Sequence, residues 1–367
     1  MASVGSDIQA SDYNGYVTRI NDIMGIGSGN KGYGQAITSS HLAGSSVTDI
    51  TNTQWNLLKA DINIAHNHQF ATDSSVGTIN TGNIIGADAS NTASGNSVTR
   101  DNSDNFTIVT PDANKGVNDF GAAITDLEAA PLTVDSGNLS AENKLAYTDT
   151  GMAYTSNWGS SGNLGIYLEF DVTFAGGYNC KNDAGADVAA TASDHRRHFF
   201  NAGGEIQIKS DITNGNGGQK DNDWNTLVGN TGTISMSSTT TTSTISGTPE
   251  AVGFWDLTTT YQTIFTKNGS QAEYAENYYR IRAKLQSTNA VRFEVRFQDA
   301  DTGDQRPNSD PGGGGAEGVP ATVSPTGPAV DEPVTADVRV NTAQLRPTGA
   351  FSVPTPTHSV ARNLAPD

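Results

Sequence analysis

The residues with the clearest chemical potential are four aspartates near the end of the alternating region. In Asp299-Ala-Asp301-Thr-Gly303-Asp304, oxygen ligands stand at alternate positions around a glycine, as at the start of a calcium loop, and the acid required at the twelfth position falls on Asp310. The competing reading is a surface turn after a strand, which asks for the same residue types. Gly27-Ser-Gly29-Asn-Lys-Gly32 matches the dinucleotide fingerprint by letter. That motif needs a strand entering and a helix leaving, so that helix amides face a pyrophosphate, and here a helix enters instead. His66 and His68 are two apart and face different sides of a helix, whereas helical metal pairs stand four apart, so they read as a polar helix end. His195 and His198 flank Arg196 and Arg197. In an acidic chain this basic cluster suits pairing with carboxylates across a subunit contact, and no third metal ligand stands nearby. Trp55, Trp158, Trp224 and Trp255 could stack on sugar rings, but three of them lie among apolar or glycine neighbours, where core packing is the commoner role.

No Gly-x-Ser-x-Gly elbow, His-Glu-x-x-His motif or groove-spanning carboxylate pair is found, so no catalytic residue is assigned, no cofactor is expected and a non-enzymatic protein is the expectation. The formal charge of −18, from 39 acidic and 21 basic residues, argues against a nucleic-acid partner. A single cysteine, Cys180, leaves neither an intrachain disulfide nor a zinc cluster, and a lone thiol of this kind is ordinarily inert. The first eight residues carry no basic region ahead of an apolar run, and no segment approaches about 18 consecutive apolar residues, so neither a standard signal nor membrane insertion is expected.

The elements that must hold these groups divide along the chain. Tyr13, Tyr16, Val17, Ile20, Ile23 and Met24 make the stripe of a helix over 12–24, with Ser11 as its cap. A second helix over 52–69 begins with a Thr51/Gln54 capping box and carries Trp55, Leu58, Ile62 and Ala65 on one face. Two short helices with one stripe each bury little alone. The expectation is that residues 1–70 form a helical docking module, with Tyr13, Ile20, Trp55, Leu58 and Ile62 as interface candidates and an intramolecular core as the equal alternative. Residues 71–146 read as a polar linker holding a short helix over 118–130, stopped by Pro131.

From 147 to 305 the period is two. Leu164, Ile166, Leu168, Phe170, Val172 and Phe174 alternate with polar residues, and two further runs, 279–285 and 291–297, should pair as an antiparallel hairpin. Its outer Arg and Glu read as solvated cross-strand partners. Shorter strands are expected at 205–209, 233–236 and 257–265, while the Ser-Thr run 235–246 is left as an edge or a loop. Gly-rich and Asn-rich turns between such strands argue for a mainly β fold, an antiparallel β-sandwich or jelly roll, preceded by the helical module and polar linkers. Residues 306–367 read as a Pro/Gly-rich extension with one short strand over 334–340.

Asp12-Tyr-Asn, the glycine loop ending Gly32-Tyr-Gly-Gln35, Thr53-Gln-Trp-Asn56, Asp61-Ile and His68-Gln69 together resemble the opening module of virion structural proteins of marine T4-like cyanophages. Arg197-His-Phe-Phe-Asn-Ala-Gly-Gly-Glu-Ile206, Trp255-Asp-Leu-Thr-Thr-Thr-Tyr261 and Asn277-Tyr-Tyr-Arg-Ile281 are similar to β-rich tail and fibre-associated proteins of the same phages. The resemblance implies a particle subunit assembled in the host cytoplasm: tail, neck or fibre-associated, homo-oligomeric, with other virion proteins as partners and no reaction of its own. Sustained heptads and strict short repeats are missing, which favours a compact adaptor over a fibre shaft. The competing expectation is a lectin-like module that grips host-surface glycan.

Overall fold

The computed structural model describes residues 10–42, 50–80, 95–100, 106–111, 116–135, 144–147, 152–156, 158–159, 165–212, 219–244, 246–270, 275–300, 334–341 and 353–366. The chain forms two compact units, each assembled from separate stretches: Met1–Glu142 with Ala175–Gly204 and Thr342–Thr355, and Asn143–Phe174 with Glu205–Asn341 and Pro356–Asp367.

The first unit is helical. Helices α1 (Ala10–Met24), α2 (Asn52–Phe70) and α3 (Val117–Ala129) turn their apolar stripes on one another. The indole of Trp55 is the hub, 4.8 Å from the Phe120 ring and 5.4 Å edge-on from Tyr13. The Thr51/Gln54 capping box starts α2 as expected, whereas α1 begins at Ala10, which puts Ser11 inside its first turn rather than at the cap. Tyr13, Ile20, Trp55, Leu58 and Ile62 all lie at 0–1% exposure in this core. The docking surface read onto these five is therefore withdrawn, because side chains so enclosed present nothing to a partner: α3 supplies the cover that two helices alone could not.

The polar stretch after α2 is likewise built in. Asn56 exchanges two hydrogen bonds with the backbone of Ile79, and Asn63 accepts from the amide and hydroxyl of Ser74, which draws Val76 and Ile79 into the interior. A fourth helix, α4 (Ala192–Asn201), was not expected from the sequence, and it completes this unit with two short hairpins, Gly95–Arg100 with Phe106–Pro111 and Asn179–Lys181 with Asp187–Ala189.

The second unit is built from two six-stranded sheets, and every pairing among the described residues is antiparallel. The first sheet runs in the order Thr248–Pro249, Gln262–Asn268, Tyr278–Ser287, Ala290–Gln298, Gly165–Thr173, Thr357–Pro366. The expected hairpin is present, turning at 288–289. The second sheet runs Thr241–Ser243, Thr233–Met236, Glu205–Ile212, Val334–Asn341, Lys144–Tyr147, with Ala153–Tyr154 also paired to Val334–Asn341.

The Ser-Thr run, left as an edge or a loop, supplies an edge strand: Thr241–Ser243 closes a hairpin at the end of its sheet, with Thr241 opposite Met236. Two expectations change here. The segment read as a strand over 257–265 is shifted to Gln262–Asn268, behind a single 3-10 turn at Phe254–Asp256. Most consequentially, the supposed C-terminal extension supplies an inner strand of one sheet and an edge strand of the other. Helix α5 (Gln219–Gly229), also unforeseen, seats Trp224 4.7 Å from Trp158, which in turn meets Phe297 at 6.4 Å. Phe170 and Phe293 stack at 5.0 Å, and the Tyr279 hydroxyl reaches Ser210 at 2.9 Å.

Candidate functional site on the outer face of the hairpin sheet

Strict alternation decides which side chains leave the core. In Gly165–Thr173, Ile166, Leu168, Phe170 and Val172 are fully enclosed, so Tyr167, Glu169 and Asp171 stand on the other face. Burial of Tyr279, Ile281 and Ala283 does the same for Arg280, Arg282 and Lys284, and burial of Val291, Phe293, Val295 and Phe297 for Arg292, Glu294 and Arg296. Arg362 joins this face from the edge strand, opposite Glu169.

The register then sets like charges side by side. Arg280 stands opposite Arg296, Lys284 opposite Arg292, and Glu294 opposite Glu169. Directly opposed like charges destabilise a sheet, so the face must compensate, and it does so with forked ion pairs and rings. Arg282 holds Glu294 through Nε and Nη2 at 2.9 and 2.5 Å, and Arg292 holds Asp171 through the same two nitrogens at 2.8 Å each. Glu169 accepts from the Tyr261 hydroxyl at 2.5 Å. Five cations lie over three tyrosines: Arg280 over Tyr278, Arg282 and Lys284 over Tyr261, and Arg296 and Arg362 over Tyr167.

The electrostatics follow the geometry. Burial, then the bond to Glu169 and the charges of Glu169 and Glu294, push the Tyr261 phenol well above its ordinary value. Against the cost of burial, the bond to Glu294 raises Arg282 further, and the bond to Asp171 raises Arg292. The Glu294 side chain is only 4% exposed, which corrects its reading as a solvated partner. Sequence alternation identified which residues face outward, but the like-charge pairings and the roles of Tyr167, Tyr261 and Tyr278 depend on register, which alternation alone does not give.

The other candidates resolve differently. The glycine loop over 25–34 leaves α1 and runs on without entering a helix, with Gly27 and Gly32 at φ of +64° and +97°. Its carbonyls, rather than its amides, face the neighbouring helix. Arg197 donates to Ile26 O and Gly27 O, His198 Nε2 to Ile26 O at 2.7 Å, and Asn201 to Asn30 O and Gly32 O. A loop offering acceptors to a guanidinium, an imidazole and an amide is the reverse of a phosphate cradle.

His195 and His198 are enclosed in the same unit rather than placed at a subunit contact. His195 Nδ1 accepts from the amides of Ala175 and Gly176, and its Nε2 donates to Pro354 O at 2.6 Å. His198 Nδ1 lies 2.6 Å from the Tyr178 hydroxyl. Burial lowers both, His198 to about 4. His68 is no polar helix end: its ring packs 5.0 Å from Tyr33, and burial lowers it to about 3. Burial, then the Asp194 charge, pushes the Cys180 thiol up to about 11, away from nucleophilic use. Asp299 is enclosed at 1% exposure, while Asp301, Asp304 and Asp310 lie outside the described residues. Among the described residues no three His, Cys, Asp or Glu side chains are grouped to hold a metal, and no helix is long and apolar enough to cross a membrane. Trp158 and Trp224 are fully enclosed, leaving Trp255, 37% exposed, as the tryptophan a ligand could reach.

Comparison with protein-family models, curated proteins and solved structures found no match.

Proposed function

We propose that this chain is a virion structural protein, a tail, neck or fibre-associated assembly or adaptor subunit that carries out no reaction and acts in the particle after assembly in the host cytoplasm. In this reading the second unit is a β-sandwich, supported by the Ser210–Tyr279 hydrogen bond, which links a strand of one sheet to a strand of the other. The observation that carries the reading is the outer face of the hairpin sheet. Arginines and tyrosines held in place by rings and ion pairs are the composition of protein–protein interfaces, and side chains ordered in advance lose little entropy on binding. The sequence resemblance to cyanophage virion proteins agrees with it. Purified particles tested by mass spectrometry and by antibody labelling should carry the chain at fixed stoichiometry; recovery only from the soluble fraction of infected cells rejects the reading.

A second reading, a module binding host-surface glycan, is favoured by one observation, the exposed indole of Trp255 beside Asp256. It requires glycan-array binding that is lost in Trp255→Ala.

A further inference from the structure

We infer that the cationic face of the hairpin sheet binds an acidic surface of a second copy of this chain, in a head-to-tail contact. This deepens the assembly-subunit reading and rests on it for its setting. Six of the chain's 21 lysines and arginines, Arg280, Arg282, Lys284, Arg292, Arg296 and Arg362, share this one face with three carboxylates, Glu169, Asp171 and Glu294. The face is therefore positive on a chain whose formal charge is −18.

Two of the cations are spent on forked ion pairs. Arg280 and Lys284 stand opposite other cations, and the Arg280 Nε is enclosed without a hydrogen-bond partner. The tyrosine rings beneath Arg280 and Lys284 offset the opposition without neutralising either charge, which leaves both cations available to an arriving anion. The complementary charge is carried by every copy of the chain. Because the cationic face meets a different, acidic surface, the contact is heterologous: it leaves one of each surface unused and propagates into a ring or a stack. A protein partner also suits the arrangement better than a polyanion, since Asp171 and Glu294 already hold the arginine forks that sulfate or phosphate groups would seek.

The test is sedimentation of the full chain at ionic strengths of about 0.01 M and about 1 M, where screening lengths are about 30 Å and about 3 Å. Species larger than one chain are expected at the lower value and dissociation at the higher. Arg280→Gln with Lys284→Gln and Arg362→Gln spares both forked pairs and should weaken self-association about tenfold or more. Mixed with wild type, this variant should still be captured through its acidic surface and should stop growth of the assembly. If the triple variant does not fold, Lys284→Gln and Arg362→Gln singly carry the same test with smaller shifts. A wild-type chain that stays monomeric at low ionic strength, or association indifferent to both salt and substitution, overturns the inference. So does binding of dextran sulfate to this face without self-association, which would make the ligand an anionic polymer. None of these results bears on whether the chain is found in purified particles, so the two proposals fail separately.

Discussion

At the scale of the residue, Glu294 is the side chain on which the outer face depends most. It is nearly enclosed, held by Arg282, 3.5 Å from the Arg296 Nε and opposed by Glu169. Glu294→Gln should keep the shape but leave the Arg282 guanidinium without its counter-charge. The expected loss is about 2–3 kcal/mol, read as a lower urea midpoint at unchanged slope. The buried histidines set a pH dependence of definite sign. His68, His195 and His198 are held below their ordinary value of about 6.5, so below that pH the unfolded chain takes up protons that the folded chain refuses. Their full contribution is present above about pH 6.5 and is lost as the pH falls, through about 4 for His198 and about 3 for His68. Each refused proton costs about 1.4 kcal/mol per pH unit in that window. His198→Gln should flatten the measured slope of stability between pH 6 and pH 5 by about one such increment, and an unchanged slope would contradict the assignment.

At the scale of the element, α4 shows how local chemistry places a helix that periodicity misses. It is ten residues long, and its start is fixed by a reciprocal box in which Thr191 Oγ1 accepts from the Asp194 amide while Asp194 accepts from the Thr191 amide and hydroxyl. Against the cost of burial, those bonds and the Arg197 charge hold the Asp194 carboxyl below its usual range. Thr191→Ala should destabilise the helical unit by about 1 kcal/mol and Thr191→Ser much less, measured by thermal unfolding. The spacing of Thr191 and Asp194 is visible in the chain, yet a helix this short carries too few apolar residues to announce a period. The capping box of α2 and the alternating runs of the central hairpin were legible because each is complete within a few residues. What was not legible is what depends on a distant partner: the Phe120 ring that encloses Trp55, the Tyr33 ring against His68, and the register that sets Arg280 beside Arg296.

At the scale of the whole molecule, each unit is discontinuous in sequence. Residues 175–204 are inserted between strands of the second unit, and 342–355 return to the first. The division expected from composition, a sheet domain ending near 305, would cut off Val334–Asn341 and Thr357–Pro366. A chain truncated after residue 305 should therefore lose cooperative unfolding of its sheets. Glu205–Ile212 would be deprived of its neighbour along eight paired positions, and Gly165–Thr173 would become an open edge. Near-ultraviolet circular dichroism of the truncated and full chains would show the loss of fixed tryptophan surroundings. A native-like spectrum in the truncated chain would contradict the strand order.

The late position of Val334–Asn341 also bears on synthesis. Its two principal neighbours, Glu205–Ile212 and Lys144–Tyr147, leave the ribosome more than a hundred residues earlier, and the edges they offer to it must wait unpaired until that strand has been made. A message cut short, or a ribosome that stalls, thus yields a product that cannot close this sheet and is open to proteases. The fold itself acts as an inspection step, admitting to its final shape only chains translated past that strand.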